Sequence, residues 1–195
     1  MTELYLFRND LRLDDNPGLL AHARADELVC VYCWPSAPAW CNLNGLGAQR
    51  ERFLLESLQA LHDELQAMGQ GLLVLRTDPR VAIVQLVERL SISRVGSSAV
   101  PGHYEEQQLC GVLDKLRVPL IVHPGNTLFE ELQLPFARGN LPRHFTPFRQ
   151  QLETLSVNTP LPAPRQLPPP PKGLSFPVQP ASKTIPHPAF PMRGG

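Results

Sequence analysis

The sequence lacks the short motifs that identify the commonest nucleotide-binding and hydrolytic folds. No G-x-G-x-x-G follows the first predicted strand and no P-loop motif is present, which argues against a dinucleotide-binding enzyme or a P-loop NTPase. Gly45-Leu-Gly47 opens a helix but has no third glycine. Serines cluster between Ser91 and Ser98 without an identifiable base, so serine hydrolase chemistry is disfavoured.

The sequence also lacks a long apolar run and an excess of either charge. No apolar stretch reaches the length of a membrane span, and Met1-Thr-Glu3 leads straight into a strand without a signal-peptide pattern. The formal net charge is +0, so overall charge does not argue for nucleic-acid binding. We therefore expect a cytoplasmic protein with no membrane partner.

Cysteine is scarce, with four residues in the whole chain. Cys30 and Cys33 have C-x-x-C spacing, but there is no second such pair and no histidine pair at ligand spacing. Residues three apart on a strand point to opposite faces of a sheet. We interpret Cys30 and Cys33 as buried structural thiols rather than a redox or zinc site, and we predict no metal site.

What the sequence does contain is a regular alternation of apolar strands and amphipathic helices. Strand and helix alternate five times, which is typical of an α/β fold with helices on both faces of a parallel sheet. We predict a Rossmann-like, doubly wound sheet of five strands in the order 3-2-1-4-5. The predicted strands are Leu4–Phe7, Glu27–Trp34, Leu72–Leu75, Arg94–Ala99 and Pro119–His123. The predicted helices are Pro17–Arg24, Ala48–Met68, Asp78/Pro79–Leu90, Tyr104–Leu116 and a last helix starting at Thr146-Pro147.

The end of the chain has a different composition. Twelve of the 22 prolines lie between Pro160 and Pro191, and no acidic residue follows Glu153. This composition favours extended polyproline structure over a packed core. We predict an α/β domain over residues 1–157 and a Pro-rich arm or interdomain linker over residues 158–195.

Ligands of doubly wound sheets lie beyond the carboxyl ends of the strands, at the point where the strand order reverses. The loops there are Arg8–Asn16 and Ser97–Tyr104. Arg8, Asp10 and Arg12 either bind a polar ligand or form an internal ion-paired turn, with Asp10 leaning towards the structural role.

The second loop leads into Gly102-His-Tyr-Glu-Glu106. Glu105 and Glu106 would lie in the first turn of the next helix, where acidic residues are favoured by the helix dipole. The alternative is that His103 or Glu105 hydrogen-bonds a heterocycle. The candidate ligand-binding residues are therefore Arg8, Asp10, His103 and Glu105, and no catalytic residue is predicted.

Several motifs, in order along the chain, resemble the photolyase/cryptochrome family. Phe7-Arg-Asn-Asp-Leu-Arg12 with Asp15-Asn-Pro-Gly-Leu19 resembles the family's opening F-R-x-D-L-R-x-x-D-N-x-x-L. Arg52-Phe-Leu-Leu-Glu-Ser-Leu58 is similar to a long-helix motif of the DASH-type cryptochromes. Phe145-Thr-Pro-Phe-Arg149 resembles the F-T-x-F-R segment near the end of the family's N-terminal domain, and Leu161-Pro-Ala-Pro164 resembles its interdomain connector.

The resemblance implies an N-terminal α/β domain that packs on the protein's own helical domain. In the family, that helical domain binds FAD, contacts damaged DNA and repairs cyclobutane pyrimidine dimers with light. A second chromophore near the α/β domain acts as an antenna; it is often a folate (methenyltetrahydrofolate) and sometimes a flavin or deazaflavin. The resemblance thus implies an antenna-chromophore domain that is not catalytic alone and does not itself bind DNA.

The chain departs from the family pattern in two places. Phe190-Pro-Met-Arg-Gly-Gly195 looks like the beginning of the F-x-G-G-E segment that opens the helical domain, so we expect a fragment or a truncated protein that lacks the FAD domain. Pro101 stands where many DASH-type members carry an acid that contacts folate. His103 or Glu105 would then have to take the place of that acid.

Two alternative functions remain. The first is a blue-light signalling or interaction module, which would self-associate through the face left by the helical domain, around the segment 132–144 and Phe148. The second is a stand-alone nucleotide-binding α/β domain, against which the missing phosphate-loop glycines argue.

Overall fold

The computed structural model describes residues 1–34 and 45–195. The predicted loop from Pro35 to Gly47 therefore lies largely outside the described residues, as do Cys41 and Trp40. The elements are β1 (Thr2–Phe7), α1 (Pro17–His22), β2 (Glu27–Cys33), α2 (Ala48–Ala67), β3 (Leu72–Leu75), α3 (Pro79–Arg89), β4 (Arg94–Ser98), α4 (His103–Leu113), β5 (Leu120–His123) and α5 (Phe145–Leu152), with 3-10 turns at Glu131–Gln133 and Arg138–Asn140.

The five strands form one parallel sheet in the order β3-β2-β1-β4-β5, which confirms the predicted fold class and strand order. β1 lies at the centre and pairs with β2 on one side and β4 on the other. Leu6 of β1 is opposite Val31 of β2 and Ser97 of β4. The loops after β1 and β4 thus leave the sheet side by side, at the switch point.

Capping explains where the first helices begin. The side chain of Asn16 accepts a hydrogen bond from the amide of Leu19, and Asp78 accepts one from the amide of Arg80. In both helices the next residue is a proline, whose missing N–H costs nothing in the first turn. Both of these predicted helix starts are confirmed.

Other boundaries differ from the prediction. α5 begins at Phe145, after the cap residue His144, so Thr146 lies inside the helix and is not its cap. Pro147 is tolerated there because amides in the first turn of a helix have no partner within it. α1 ends at His22 instead of Arg24, and α4 ends at Leu113 instead of Leu116, because Ala23 and Asp114 already act as the C-caps.

The core has two layers, one on each side of the sheet. Tyr5 and Phe7 of β1 pack with the α2 stripe that includes Leu58, Leu61 and Leu65. Alternate residues of β1 pack on the opposite face, against α3 and α4; this second cluster includes Leu4, Leu6, Ile83, Leu86 and Val112. The period of two along the strand therefore separates the two layers.

The cysteine pair follows the same rule. Cys30 belongs to the layer beside α2, whereas Cys33 packs against the opposite layer. Both thiols are free. Burial raises the pKa of Cys30 to about 12 and that of Cys33 to about 12, so both stay protonated at neutral pH. This arrangement supports the interpretation as structural thiols.

Residues 158–195, which we call the arm, lie extended over the domain. The amide of Asp15 donates to the carbonyl of Leu161 (2.7 Å), and the amide of Leu28 donates to that of Pro169 (3.1 Å). Leu167 is buried in the layer beside α2. Among the described residues, no helix is long and apolar enough to cross a membrane.

Candidate binding site at the carboxyl edge of the sheet

A buried polar network joins the two switch-point loops. Tyr5 donates to Oδ1 of Asn16 (2.8 Å), and its hydroxyl lies 2.8 Å from Oγ of Ser98. Ser98 in turn donates to Oδ2 of Asp10. Burial, reinforced by the charge of Asp10, raises the pKa of Tyr5 well above its ordinary value. The phenol therefore stays neutral and holds the end of β1 to the loop that starts α1.

This network determines what Asp10 and Arg12 do. Asp10 uses Oδ2 to bind Ser98, while its buried Oδ1 has no hydrogen-bond partner in the described part of the chain. Arg12 donates to the carbonyls of Asp15 (2.6 Å) and Gly125 (2.8 Å). Both side chains thus contribute to the internal turn that fixes the loop, and Asp10 keeps one free acceptor.

Arg8 bridges the two loops from the other side. Its Nη2 donates to the backbone carbonyl of Glu105 (2.6 Å), which ties the end of β1 to the first turn of α4. Its Nη1 is buried and has no hydrogen-bond partner within residues 1–34 and 45–195. Burial lowers the pKa of Arg8, although the charges of Glu105 and Asp10 oppose that shift. An orphaned, buried guanidinium nitrogen is costly, and a ligand anion would satisfy it.

The other two predicted residues lie at the start of α4. His103 is the first residue of the helix and is exposed. Glu105 is half-buried, and its carboxylate folds back over Gly102, where a larger side chain would overlap it. The structure therefore brings Arg8, Asp10 and Glu105 to one place and leaves His103 at its outer rim.

A cavity of about 420 Å³ opens beside Arg8, between the ends of β1 and β2 and the first half of α2. We call it the α2 cavity. It is lined by Arg8, Asn9, Leu11, Tyr32, Leu46, Arg50, Phe53, Leu54, Ser57 and Gly195. A second concavity of about 510 Å³ lies on the far side of α1, lined by Pro17, Leu20, Ala21, Arg24, Arg94 and Leu161.

The chemistry of the α2 cavity suits a flat ring that carries a negative charge. Arg8 and Arg50 provide two guanidinium groups, and Tyr32 and Phe53 provide aromatic surface. Burial raises the pKa of Tyr32 to about 12, so its ring remains a neutral phenol. Such a mixture of aromatic walls and a few placed polar groups is typical of small-molecule sites. The described residues contain no group of three or more His, Cys, Asp or Glu side chains that could hold a metal ion.

Sequence reasoning identified Arg8 but missed the wall that α2 provides. Arg50, Phe53, Leu54 and Ser57 are spaced at i, i+3, i+4 and i+7, which places them on one face of the helix. That face adjoins the core stripe of Leu58, Leu61 and Leu65. The spacing of these residues therefore indicated a common helix face, but the sequence does not show which strand ends that face contacts.

Fold and geometry together define an α/β domain with a cavity at the carboxyl edge of a doubly wound sheet. The chain belongs to the DNA photolyase family, whose family model matches residues 3–168. It is 37% identical over 181 residues to a DASH cryptochrome of Vibrio parahaemolyticus, covering 90% of this chain and 41% of that protein. The chain thus spans about two fifths of the length of this curated relative.

Solved structures agree with this assignment. A cryptochrome from Synechocystis matches with a TM-score of 0.89 at 28% identity, covering 100% of this chain and 43% of that one. A class III photolyase from Agrobacterium tumefaciens matches with a TM-score of 0.75 at 25% identity, covering 91% and 36%. The family resemblance stated from the motifs is confirmed.

Proposed function

We propose that this chain is the antenna-chromophore domain of a photolyase or DASH-like cryptochrome, and that its chromophore lies in the α2 cavity. The observation that carries the proposal is Arg8, whose side chain lines that cavity and whose buried Nη1 has no hydrogen-bond partner among the described residues. The α2 cavity has a volume of about 420 Å³, which lies within the usual range for small-molecule sites, about 300–1,000 Å³.

A flavin satisfies these constraints best. Flavin mononucleotide (FMN) combines a flat ring system with a phosphate, which matches two aromatic walls and two guanidinium groups. A folate held through the loop before α4 is less favoured, because Pro101 provides no acid there. When bound, the chromophore would supply absorption of blue light. The protein's own residues bind it: Arg8 and Arg50 hold the anion, and Tyr32 and Phe53 pack on the ring.

The light-driven repair step belongs to the complete protein in this proposal. Its helical domain would bind FAD and DNA, and it would be the partner of this domain. The present chain alone would neither repair cyclobutane pyrimidine dimers under blue light nor copurify with stoichiometric FAD. Observation of either would overturn this assignment. The free thiols of the buried Cys30 and the half-buried Cys33 are consistent with a reducing compartment, for which we propose the cytoplasm.

We expect Arg8→Met to weaken FMN binding about tenfold or more, because a hydrogen bond to a charged group contributes roughly 1.5–3 kcal/mol. The dissociation constant is measured by quenching of flavin fluorescence. Arg8→Lys should lie between wild type and Arg8→Met, because it keeps the charge and loses the forked donor.

Arg89→Met is the matched control for this experiment. Arg89 is exposed in the last turn of α3, away from the α2 cavity, and its substitution should leave the dissociation constant unchanged. Equal losses at Arg8 and Arg89, or no binding of FMN at all, would contradict the proposed site. Tight binding of ATP by calorimetry would instead favour a stand-alone nucleotide-binding domain.

An apolar surface supports a second candidate function, protein association. Large apolar side chains are exposed along the segment after β5; they are Leu128, Leu132, Leu141 and Phe145. The ring of Phe148 packs in a tilted arrangement against those of Phe136 and Phe145, with centroid distances of 5.6 and 6.5 Å respectively. Clustered exposed apolar groups mark docking faces. We propose that this face receives the helical domain in the complete protein and a second copy of the chain when that domain is lacking.

This proposal predicts concentration-dependent self-association. In gel filtration the chain should elute at a larger apparent mass as its concentration rises. The double variant Leu132→Ser/Phe145→Ser should elute as a monomer at every concentration, because it removes two large apolar groups from this face. Leu132 is 96% exposed and Phe145 is 73% exposed, so their replacement leaves the core intact. A wild-type chain that stays monomeric at every concentration would contradict self-association through this face.

A further inference from the structure

The Arg52-x-x-x-Glu56 part of the long-helix motif has no role in the site described so far. Both residues lie on α2, on the face beneath the end of the arm. Nη1 of Arg52 donates to both carboxylate oxygens of Glu56, at 2.9 and 3.0 Å. The side chain of Arg52 is only 1% exposed, which is unusual for a guanidinium on the outer part of a helix.

The arm accounts for this burial. Nη2 of Arg52 donates to the backbone carbonyls of Phe190 (3.2 Å) and Met192 (2.8 Å). Glu56 accepts a hydrogen bond from the amide of Gly194 (2.9 Å), and this bond is the main cause that lowers the pKa of Glu56. The ion pair thus binds both a donor and two acceptors of the arm backbone.

Neighbouring contacts align the arm on the same helix. Gln49 donates to the carbonyl of Ile185 (2.8 Å) and accepts from the amide of His187 (3.2 Å). The ring of Phe190 packs edge-on against Phe53, with centroids 5.7 Å apart. A side chain at Gly194 would overlap the backbone of α2 at Phe53 and Ser57, so only glycine permits this close approach.

These contacts place the end of the arm at the α2 cavity. Phe53 and Ser57, which receive the arm, also line the cavity, and Gly195 completes the wall. We infer that the Arg52–Glu56 pair is a latch that holds residues 185–195 as a removable wall of the α2 cavity, so that release of the arm opens the cavity. This inference rests on the proposed function for its ligand, but access to the cavity can be measured without one.

The test uses Ser57→Cys as a reporter on the cavity wall, alkylated by iodoacetamide and followed by peptide mass spectrometry. In the full chain, adding Arg52→Met or Gly194→Ala should raise the alkylation rate at residue 57 about tenfold, because each change removes hydrogen bonds or close packing that hold the arm. Gly139→Ala is the matched control, since no atom of the described residues lies within 4 Å of a methyl group there. Equal alkylation rates in all four backgrounds would overturn the latch.

A second readout separates a latch from a merely damaged helix. Hydrogen exchange at the amide of Gly194 should accelerate in Arg52→Met, while the amides of Leu61 and Leu65 in the second half of α2 keep their protection. Accelerated exchange along the whole helix would overturn the inference in favour of a structural role. Failure of FMN to bind wild type would contradict the proposed function but would leave both of these measurements decisive for the latch.

Discussion

Replacing Gly96 by alanine is expected to lower the free energy of unfolding by about 1–3 kcal/mol, the usual cost of overpacking a core. Gly96 lies in β4, between β1 and β5. A methyl group there would overlap the imidazole of His22. That ring is completely buried and is enclosed by Tyr5 and His123, with centroid distances of 5.8 and 5.5 Å. It therefore cannot move aside without disturbing both neighbours.

Chemical denaturation of Gly96→Ala and Gly139→Ala tests this prediction. A methyl group at Gly139 meets no atom within 4 Å in the part of the chain that the structure describes, so Gly139→Ala should change stability by less than about 0.5 kcal/mol. The double variant Gly96→Ala/His22→Ala should be less destabilised than the sum of its two single variants, because removing the ring removes the overlap. Additive losses would show that the cost at Gly96 arises elsewhere.

Acidification is expected to destabilise the chain through the same histidine. His22 lies 2.6 Å from Glu3, measured between Nδ1 and Oε2. Glu3 is already paired with Arg94, whose Nη2 lies 2.7 and 2.8 Å from its two carboxylate oxygens. Burial lowers the pKa of His22 to about 4; the charge of Glu3 opposes this shift, while Arg94 and His123 reinforce it.

The direction of the pH effect follows from these values. The ordinary pKa of histidine is 6.5 and that of His22 in the fold is about 4. Between these values the unfolded chain binds a proton that the folded chain does not, so stability falls as the pH falls from 6.5 to 4. The loss from His22 alone is about 3 kcal/mol over that window, at about 1.4 kcal/mol for each pKa unit.

The measurement compares the pH dependence of unfolding free energy in wild type and His22→Gln. The variant should lose about 3 kcal/mol less than wild type between pH 6.5 and 4, whatever its absolute stability. His187→Gln, at an exposed position in the arm, should retain the wild-type dependence. Parallel curves for wild type and His22→Gln would contradict a depressed pKa at His22.

Much of the fold was predictable because local signals agreed with one another. Asn16 and Asp78 are cap residues followed by proline, and the α2 leucines repeat at helical spacing. The beginning of α5 was harder to predict, because Thr146-Pro147 has the pattern of a cap followed by a first helical position, although the helix already begins at Phe145. The sequence pattern thus predicts which helices and strands form more reliably than it predicts the residues at which they begin.

The site was predictable only in part, for a geometric reason. Arg8 follows a central strand, and the ends of central strands meet at the switch point. Arg50 and Phe53 belong to a helix more than 40 residues later, and only packing brings them to β1 and β2. The arm was expected from its prolines, but composition does not determine which carbonyl reaches Arg52.

The central claim, a chromophore in the α2 cavity held by Arg8, is tested most directly by amide chemical-shift mapping of the isotope-labelled chain during titration with FMN. The proposed function predicts the largest shifts at Arg8, Tyr32, Arg50 and Phe53, and their loss in Arg8→Met. Shifts confined to the second concavity, at Leu20, Ala21 and Arg24, would contradict it, as would a spectrum that FMN leaves unchanged.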